Sequence, residues 1–377
     1  MLKRKLSSLM AILMVILCLT ACEAEVDNSD NNIDTSAYKY NLANIIPSEF
    51  NDVTGINLDK GTYISVIGKA KGPEFWNEVE RGVKKAASDL NKVLGYSGED
   101  KIKVTYNAPE GSEKTGEQVN ILDEELSRYP DVIVIATVDS TACPVQFDLA
   151  EDNGIPVLAM DSYNVNDGIR TLISTNNYEA GRTTAYKMAT EIGEEGDILV
   201  ITDSSESGSA IDRYSGIMDT IQSEHEGVNV VDVISLDKID ELREYVESVL
   251  PIGSNIVVND MTDEDVIAYY IDNNVDIKGI IATGFGSTQM TIKAVQKGKN
   301  PDIKVMGFDG GKEQISALES GAVKGLIIQN PFGIGYASVV AAARTVAGED
   351  IPESIDTGYI WVTQENMKDE TIVPMLY

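Results

Sequence analysis

Cysteine is almost missing: of three in 377 residues, Cys18 and Cys22 sit near the start and Cys143 alone lies beyond them. One thiol builds no internal disulfide framework, so ordinary cores must hold the fold. Cys143, in Thr141-Ala142-Cys143-Pro144 at an expected helix start, reads as a small buried hydrophobe. Histidine occurs once, as His225 in Ser223-Glu224-His225-Glu226, and reads as a solvated side chain at a polar helix end. That excludes a His-based catalytic triad and a zinc site of His and Cys ligands. Gly-x-Ser-x-Gly occurs nowhere, and Gly284-Phe285-Gly286-Ser287 lacks the remaining Gly and Lys of a phosphate loop. Positive charge is scarce too, with 30 Lys and Arg against 61 Asp and Glu and a net charge of −31. Such a chain repels phosphate backbones and anionic lipid heads, so nucleic acid and peripheral membrane binding are not expected.

Near the start, Lys3, Arg4 and Lys5 precede an uncharged, mostly apolar stretch over 9–19. It is shorter than the about 20 residues of a membrane span and reads as an export signal. It ends in Leu19-Thr20-Ala21-Cys22, which resembles the bacterial lipobox. That resemblance implies cleavage before Cys22, lipidation of its thiol, and a protein held on the outer face of the cell membrane. Residues 1–21 are then signal peptide, and 22–60, rich in Asp, Asn, Ser and Thr, are the lipidated Cys and a flexible tether. Asp27-Asn28-Ser29-Asp30-Asn31 is not a calcium loop, since Asn32 and Tyr38 stand where glycine and glutamate are needed.

From Thr62 onward, short β-branched runs alternate with stretches of helical period such as Phe75, Val79, Val83, Ala86 and Leu90. Strands are expected over 63–67, 102–106, 132–136, 156–160, 171–174, 197–201, 228–233, 255–258, 278–282, 303–307 and 323–328. Alternation of this kind means parallel sheets covered on both faces. Eleven strands exceed one comfortable sheet, and the polar stretch 161–169 interrupts the rhythm, so two lobes with a crossing there are expected.

The order of motifs resembles the type I periplasmic solute-binding proteins, in the ribose- and galactose-binding branch that also gives the sensory domain of LacI-type repressors. The series runs Gly72-Pro73-Glu74-Phe75-Trp76, Asp131-Val132-Ile133-Val134-Ile135, Asn153-Gly154-Ile155-Pro156-Val157 with Asp161-Ser162, then Asn176-Asn177-Tyr178-Glu179-Ala180-Gly181. It continues with Asp212-Arg213-Tyr214-Ser215-Gly216, Val305-Met306-Gly307-Phe308-Asp309 and Ile328-Gln329-Asn330-Pro331, so the resemblance covers 62–367. It implies an α/β fold of two doubly wound parallel-sheet lobes joined by three hinge crossings, with the ligand cleft between them. Carried over, the crossings fall near 161–166, 329–330 and 355–358. The N-terminal lobe is then 61–163 with 330–355, and the C-terminal lobe 164–329 with 356–377.

Ligands of open α/β sheets sit beyond the carboxyl ends of the strands, where these motif residues lie. A neutral sugar needs flat aromatic surface for its C–H face, and carboxylate, guanidinium and amide groups for its hydroxyls. Phe75 and Trp76 are the expected rings, with Phe285 a further one. By the resemblance, Asp161 and Asp309 accept hydroxyls, Arg213 offers a guanidinium fork and Gln329 an amide. Lys69, Asp139, Ser162 and Thr283 complete the candidate set. Departures from the ribose-binding pattern stand at Ala136-Thr137, Ser162 and Thr283-Gly284-Phe285. They leave the scaffold and argue against ribose itself.

The expected protein is a monomeric, non-enzymatic, extracytoplasmic substrate-binding lipoprotein of an ABC importer. It needs no cofactor or metal, closes on a sugar or similar small polar ligand and docks on a permease. The alternative is a sensor component presenting its ligand to a membrane receptor or kinase, or a binder of a nucleoside or signalling molecule. A repressor does not fit the export signal or the negative charge, and among enzymes only a carboxylate pair, Asp161 with Asp309, is open to glycoside chemistry.

Overall fold

A computed structural model describes residues 38–377 except 112, 113, 253 and 275. The export signal, Cys22 and the first part of the tether lie outside the described residues.

Two six-stranded sheets repeat one order. The first comprises β1 (Tyr63–Ile67), β2 (Lys103–Asn107), β3 (Val132–Ile135), β4 (Val157–Met160), β5 (Ile169–Ser174) and β11 (Ser354–Asp356), ordered 11-5-4-3-1-2. The second comprises β6 (Gly196–Thr202), β7 (Val228–Ser235), β8 (Ile277–Ala282), β9 (Lys304–Phe308), β10 (Gly325–Gln329) and β12 (Tyr359–Val362), ordered 12-10-9-8-6-7. Substituting β6 to β10 for β1 to β5 turns one order into the other. Every pairing is parallel except β10 with β12, which is antiparallel. β1, β3, β4 and β10 are buried at every position, as parallel strands covered by helices on both faces must be.

Helices cover both sheets. α2 (Glu74–Leu94) buries Phe75, Val79, Val83, Ala86 and Leu90, its expected stripe, together with Trp76, and packs on α11 (Pro331–Val346). α5 (Asn177–Glu191) packs likewise on α6 (Gly208–Glu224). That contact is close because a Cβ on Gly181 would stand 2.1 Å from the Arg213 carbonyl oxygen, and one on Gly216 the same distance from that of Tyr178. Among the described residues no helix is long and apolar enough to cross a membrane.

Several expectations change. The stretch expected to be tether to residue 60 is folded from α1 (Lys39–Ala43) onward: Ile45, Phe50, Val53 and Ile56 are at most 3% exposed, and Ile46 bridges Asp356. These apolar residues are irregularly spaced, so no period betrayed them. β5 pairs in parallel with β4, so the first crossing follows Ser174, not 161–166, and 169–174 belongs with the first sheet. The polar stretch is a loop within one lobe. No strand forms over 255–258, where a short 3-10 turn (Val258–Asp260) stands, and β11 and β12 were too short to be read. His225 is buried, with Nδ1 2.6 Å from Glu194 Oε2, because the helix end folds back on the loop before β6. Cys143 is buried, and burial pushes its thiol up to about 11.

The chain returns to the first lobe at Asn330 and crosses again at Thr357 and Gly358. Asn330, fully buried, caps α11 by accepting from Gly333 N–H, while its amide donates to the carbonyls of Asn41 and Thr357, both at 2.8 Å. Both crossings and the first folded segment are thus tied by one side chain.

Candidate ligand-binding cleft

The two sheets bring matching groups to one cleft. Asp161 follows β4 and Asp309 follows β9, and both adopt left-handed backbone, with φ of 60° and 72°. Each amide bonds a carbonyl of the neighbouring strand: Asp161 to Ile173 at 2.8 Å, Asp309 to Ile327 at 2.7 Å. Left-handed geometry costs a non-glycine residue roughly 1–3 kcal/mol, which these paired bonds sustain while turning both carboxylates into the cleft.

On the first lobe, Lys69 follows β1 with its ammonium 3.2 Å from Asp161 Oδ2, both side chains nearly inaccessible. The same ammonium donates at 2.8 Å to Ser207 Oγ at the start of α6 in the other lobe. Phe75 and Trp76, in the first turn of α2, stand edge to face with ring centres 5.0 Å apart.

On the second lobe, Arg213 of α6 donates from Nε to Asn177 Oδ1 at 2.8 Å and from Nη1 to the Thr283 carbonyl at 2.7 Å, and lies 4.5 Å over the Phe308 ring. Asp309 Oδ1 accepts from Gln329 Nε2 at 2.9 Å and from the Tyr377 hydroxyl at 2.8 Å. Burial, with Asp161 adding to it, lifts the Asp309 carboxyl to about 6, while Arg213, Gln329 and Tyr377 hold it down. Asp203, at the end of β6, accepts from Ser287 N–H at 2.6 Å and Ser287 Oγ at 3.0 Å; burial raises its pKa against those bonds.

A cavity of about 270 Å³ lies between these groups. Lys69, Phe75, Trp76, Asp161, Arg213, Thr283, Phe285, Asp309 and Gln329 all line it. Two candidates do not: Asp139 turns away to accept from Thr141 N–H and Oγ1, and Ser162 is buried behind the cleft against Ser207 and Ser209. Asp203, Ser207 and Ser209 line the cavity unannounced by any motif, and Tyr377, from the far end of the sequence, bonds Asp309 without lining it. Among the described residues, no partner reaches the buried Gln329 Oε1 or Thr283 Oγ1.

A larger cavity, about 570 Å³, runs beside β7, lined by Tyr214, Tyr245 and Tyr270. All its lining residues fall within 202–270, in one lobe, so it gathers no groups from across the cleft. Among the described residues no cluster of His, Cys, Asp and Glu could hold a metal ion.

Residues 64–350 match the periplasmic binding protein domain. The xylitol-binding protein of Mycolicibacterium smegmatis is 20% identical over 279 residues, covering 72% of each chain. The ribose import binding protein of Escherichia coli is 22% identical over 294 residues, covering 78% of this chain and 88% of its own. Among solved structures, a carbohydrate transporter solute-binding protein from Agrobacterium radiobacter in complex with D-arabinose is 26% identical. It superposes with a TM-score of 0.70 and covers 84% of this chain and 99% of its own. An ABC transporter solute-binding protein from Agrobacterium vitis with bound D-fucose, 23% identical, has the same score, with 84% and 100% covered, and carries the fold alone. Two sheets of one strand order, a cleft furnished from both, and a match over most of the sequence make this chain a member of the periplasmic binding protein family with the type I fold.

Proposed function

We propose that the chain is the substrate-binding component of an ABC importer, taking a sugar or comparable small polyol between its lobes, and that it is anchored outside the cell membrane through Cys22. The observation that carries this reading is a pair of buried atoms, Gln329 Oε1 and Thr283 Oγ1, that no partner among the described residues reaches, on residues lining a cavity shared with Asp161, Asp309 and Arg213. A buried polar atom without a partner costs about 1–3 kcal/mol, and a ligand hydroxyl, donor and acceptor at once, relieves it. Phe75 and Trp76 supply the apolar wall that a sugar's C–H face requires. The D-arabinose complex of the 26%-identical relative favours the same ligand class. We read the site as non-catalytic.

Calorimetry and thermal-shift measurements on the purified protein against pentoses, hexoses, pentitols and nucleosides test this. One sugar or polyol should raise the melting temperature by a few degrees at about 100 times Kd, and Arg213→Ala or Asp309→Ala should abolish the shift. The ligand should be recovered chemically unchanged. A shift with nucleosides alone would overturn the sugar assignment.

A further inference from the structure

Asp203 is the one carboxylate lining the cleft that no motif announces. It directly follows β6, the counterpart of β1 in the repeated strand order, as Asp161 follows β4 and Asp309 follows its counterpart β9. Strand ends of open α/β sheets face the ligand, and Asp203 lines the cavity beside Thr283, Gly284 and Phe285. Among the described residues only Ser287 donates to it, from N–H to Oδ1 at 2.6 Å and from Oγ to Oδ2 at 3.0 Å.

Two glycines make room for this carboxylate. A Cβ on Gly284 would stand 1.8 Å from Asp203 Oδ2, and one on Gly286 2.5 Å from Oδ1. The backbone of Gly284 is extended, with φ of −159°, so what glycine supplies there is space and not conformational freedom. The carboxylate thus occupies the place that a side chain at 284 would take on the cavity wall. Gly284 belongs to one of the departures from the ribose-binding pattern, and β6, the strand paired with β8, fills what that departure leaves open.

Capping α9 (Phe285–Lys297) does not by itself account for an acid here. The turn is closed without it: Gly284 N–H donates to Ser287 Oγ at 2.9 Å, Arg213 Nη1 to the Thr283 carbonyl at 2.7 Å and Gln314 Nε2 to the Phe285 carbonyl at 3.2 Å. An ionised carboxylate accepts about four hydrogen bonds, so the Ser287 donors leave it capacity for a ligand. Burial raises its pKa, and the Ser287 bonds, Arg213 and Lys69 oppose that rise.

We propose that Asp203 is a specificity-determining ligand contact: from the gap at Gly284 it accepts one hydroxyl of the bound sugar, a third carboxylate beside Asp161 and Asp309, so that a sugar lacking that hydroxyl is rejected. This rests on the reading of the cleft as a sugar site.

Calorimetry of wild type, Asp203→Asn, Asp203→Ala and Gly284→Ala tests it. The probes are the tightest binder among D-arabinose, D-fucose, D-ribose, D-galactose and xylitol, and each monodeoxy analogue of that binder. In wild type, loss of the hydroxyl that faces Asp203 should weaken binding about tenfold or more, as loss of a hydrogen bond to a charged group does. In Asp203→Ala that one penalty should vanish while those at the other positions remain, since such a cycle isolates the pair. Asp203→Asn, which keeps the shape without the charge, should reduce the same penalty. Gly284→Ala should erase it, because the new Cβ must displace Oδ2. A loss in the Asp203 variants that falls equally on the parent sugar and all its analogues, or that removes all binding, makes Asp203 structural and overturns the contact. A penalty left intact in Gly284→Ala overturns the placement of the contact in that gap. If no probe binds any of the four proteins, the sugar reading falls and takes this one with it.

Discussion

Asp309 is held between opposed influences, and its titration should be visible in binding. Burial, and secondarily Asp161, raise its pKa to about 6 from 3.8. A carboxyl raised on folding favours the folded state most while protonated. Its share of stability is full below the unfolded value and is lost as pH climbs through about 6. Ligand binding runs the other way, since only the ionised carboxylate is a strong acceptor for a hydroxyl. Affinity should therefore fall as pH drops below about 6, approaching tenfold per unit until the carboxyl of the complex itself takes up a proton. Calorimetry from about pH 5 to 7.5 measures this, and Asp309→Asn should bind weakly with a flat profile. An equally steep profile in Asp309→Asn would assign the titration to another group. This aspartate was legible in the sequence because Gly307-Phe308-Asp309 ends an apolar strand. Arg213 and Gln329 were legible for similar reasons, lying in motifs that the fold sets at the cleft. Tyr377 was not, because its place depends on where the segment after β12 runs, which no local pattern encodes. Neighbouring a strand end does not fix which way a side chain turns: Asp139 orders its own loop, and Ser162 faces the opposite lobe.

Elements set these residues by how closely they approach. Arg213 is aimed by α6, and α6 reaches α5 only because Gly181 and Gly216 leave no side chain between them. Gly216→Ala must push the helices apart, since its Cβ would lie 2.1 Å from the Tyr178 carbonyl oxygen. Overpacking of this sort costs about 1–3 kcal/mol. Urea unfolding should show that loss, and calorimetry a parallel loss of affinity as the guanidinium leaves Asn177 and Thr283. The folded segment before β1 makes a second case. Phe50 is fully buried and lies under the Arg344 guanidinium, so Phe50→Ala should cost about 3–5 kcal/mol. A tether would lose nothing, and a denaturation midpoint within error of wild type would restore that view. Strands buried on both faces were readable as continuous apolar runs, and α2 by its stripe. The segment before β1 was not, because its buried residues follow no period, nor were β11 and β12, which are three and four residues long.

At the scale of the molecule, the lobes meet through polar contacts beyond the cavity as well as at it. Ser140 N–H donates to the Glu206 carbonyl at 2.9 Å, Ser209 N–H to Ser162 Oγ at 3.1 Å, and Ser162 Oγ lies 3.2 Å from Ser207 Oγ. Ser162 lies outside the cavity lining, so any effect it has on affinity must act through closure. Apparent affinity is the intrinsic affinity scaled by the fraction of molecules able to close. Ser162→Ala leaves the Ser209 amide without its acceptor only when the lobes are shut, a penalty of about 1 kcal/mol on that state. All ligands should then weaken by a common factor of about five, chiefly through faster release, with selectivity among them unchanged. Stopped-flow dissociation supplies the rate, and small-angle scattering with and without ligand supplies the compaction, which at saturation should match wild type. A loss confined to one ligand would instead make Ser162 a contact, and an unchanged release rate would mean that these inter-lobe bonds do not hold the lobes shut.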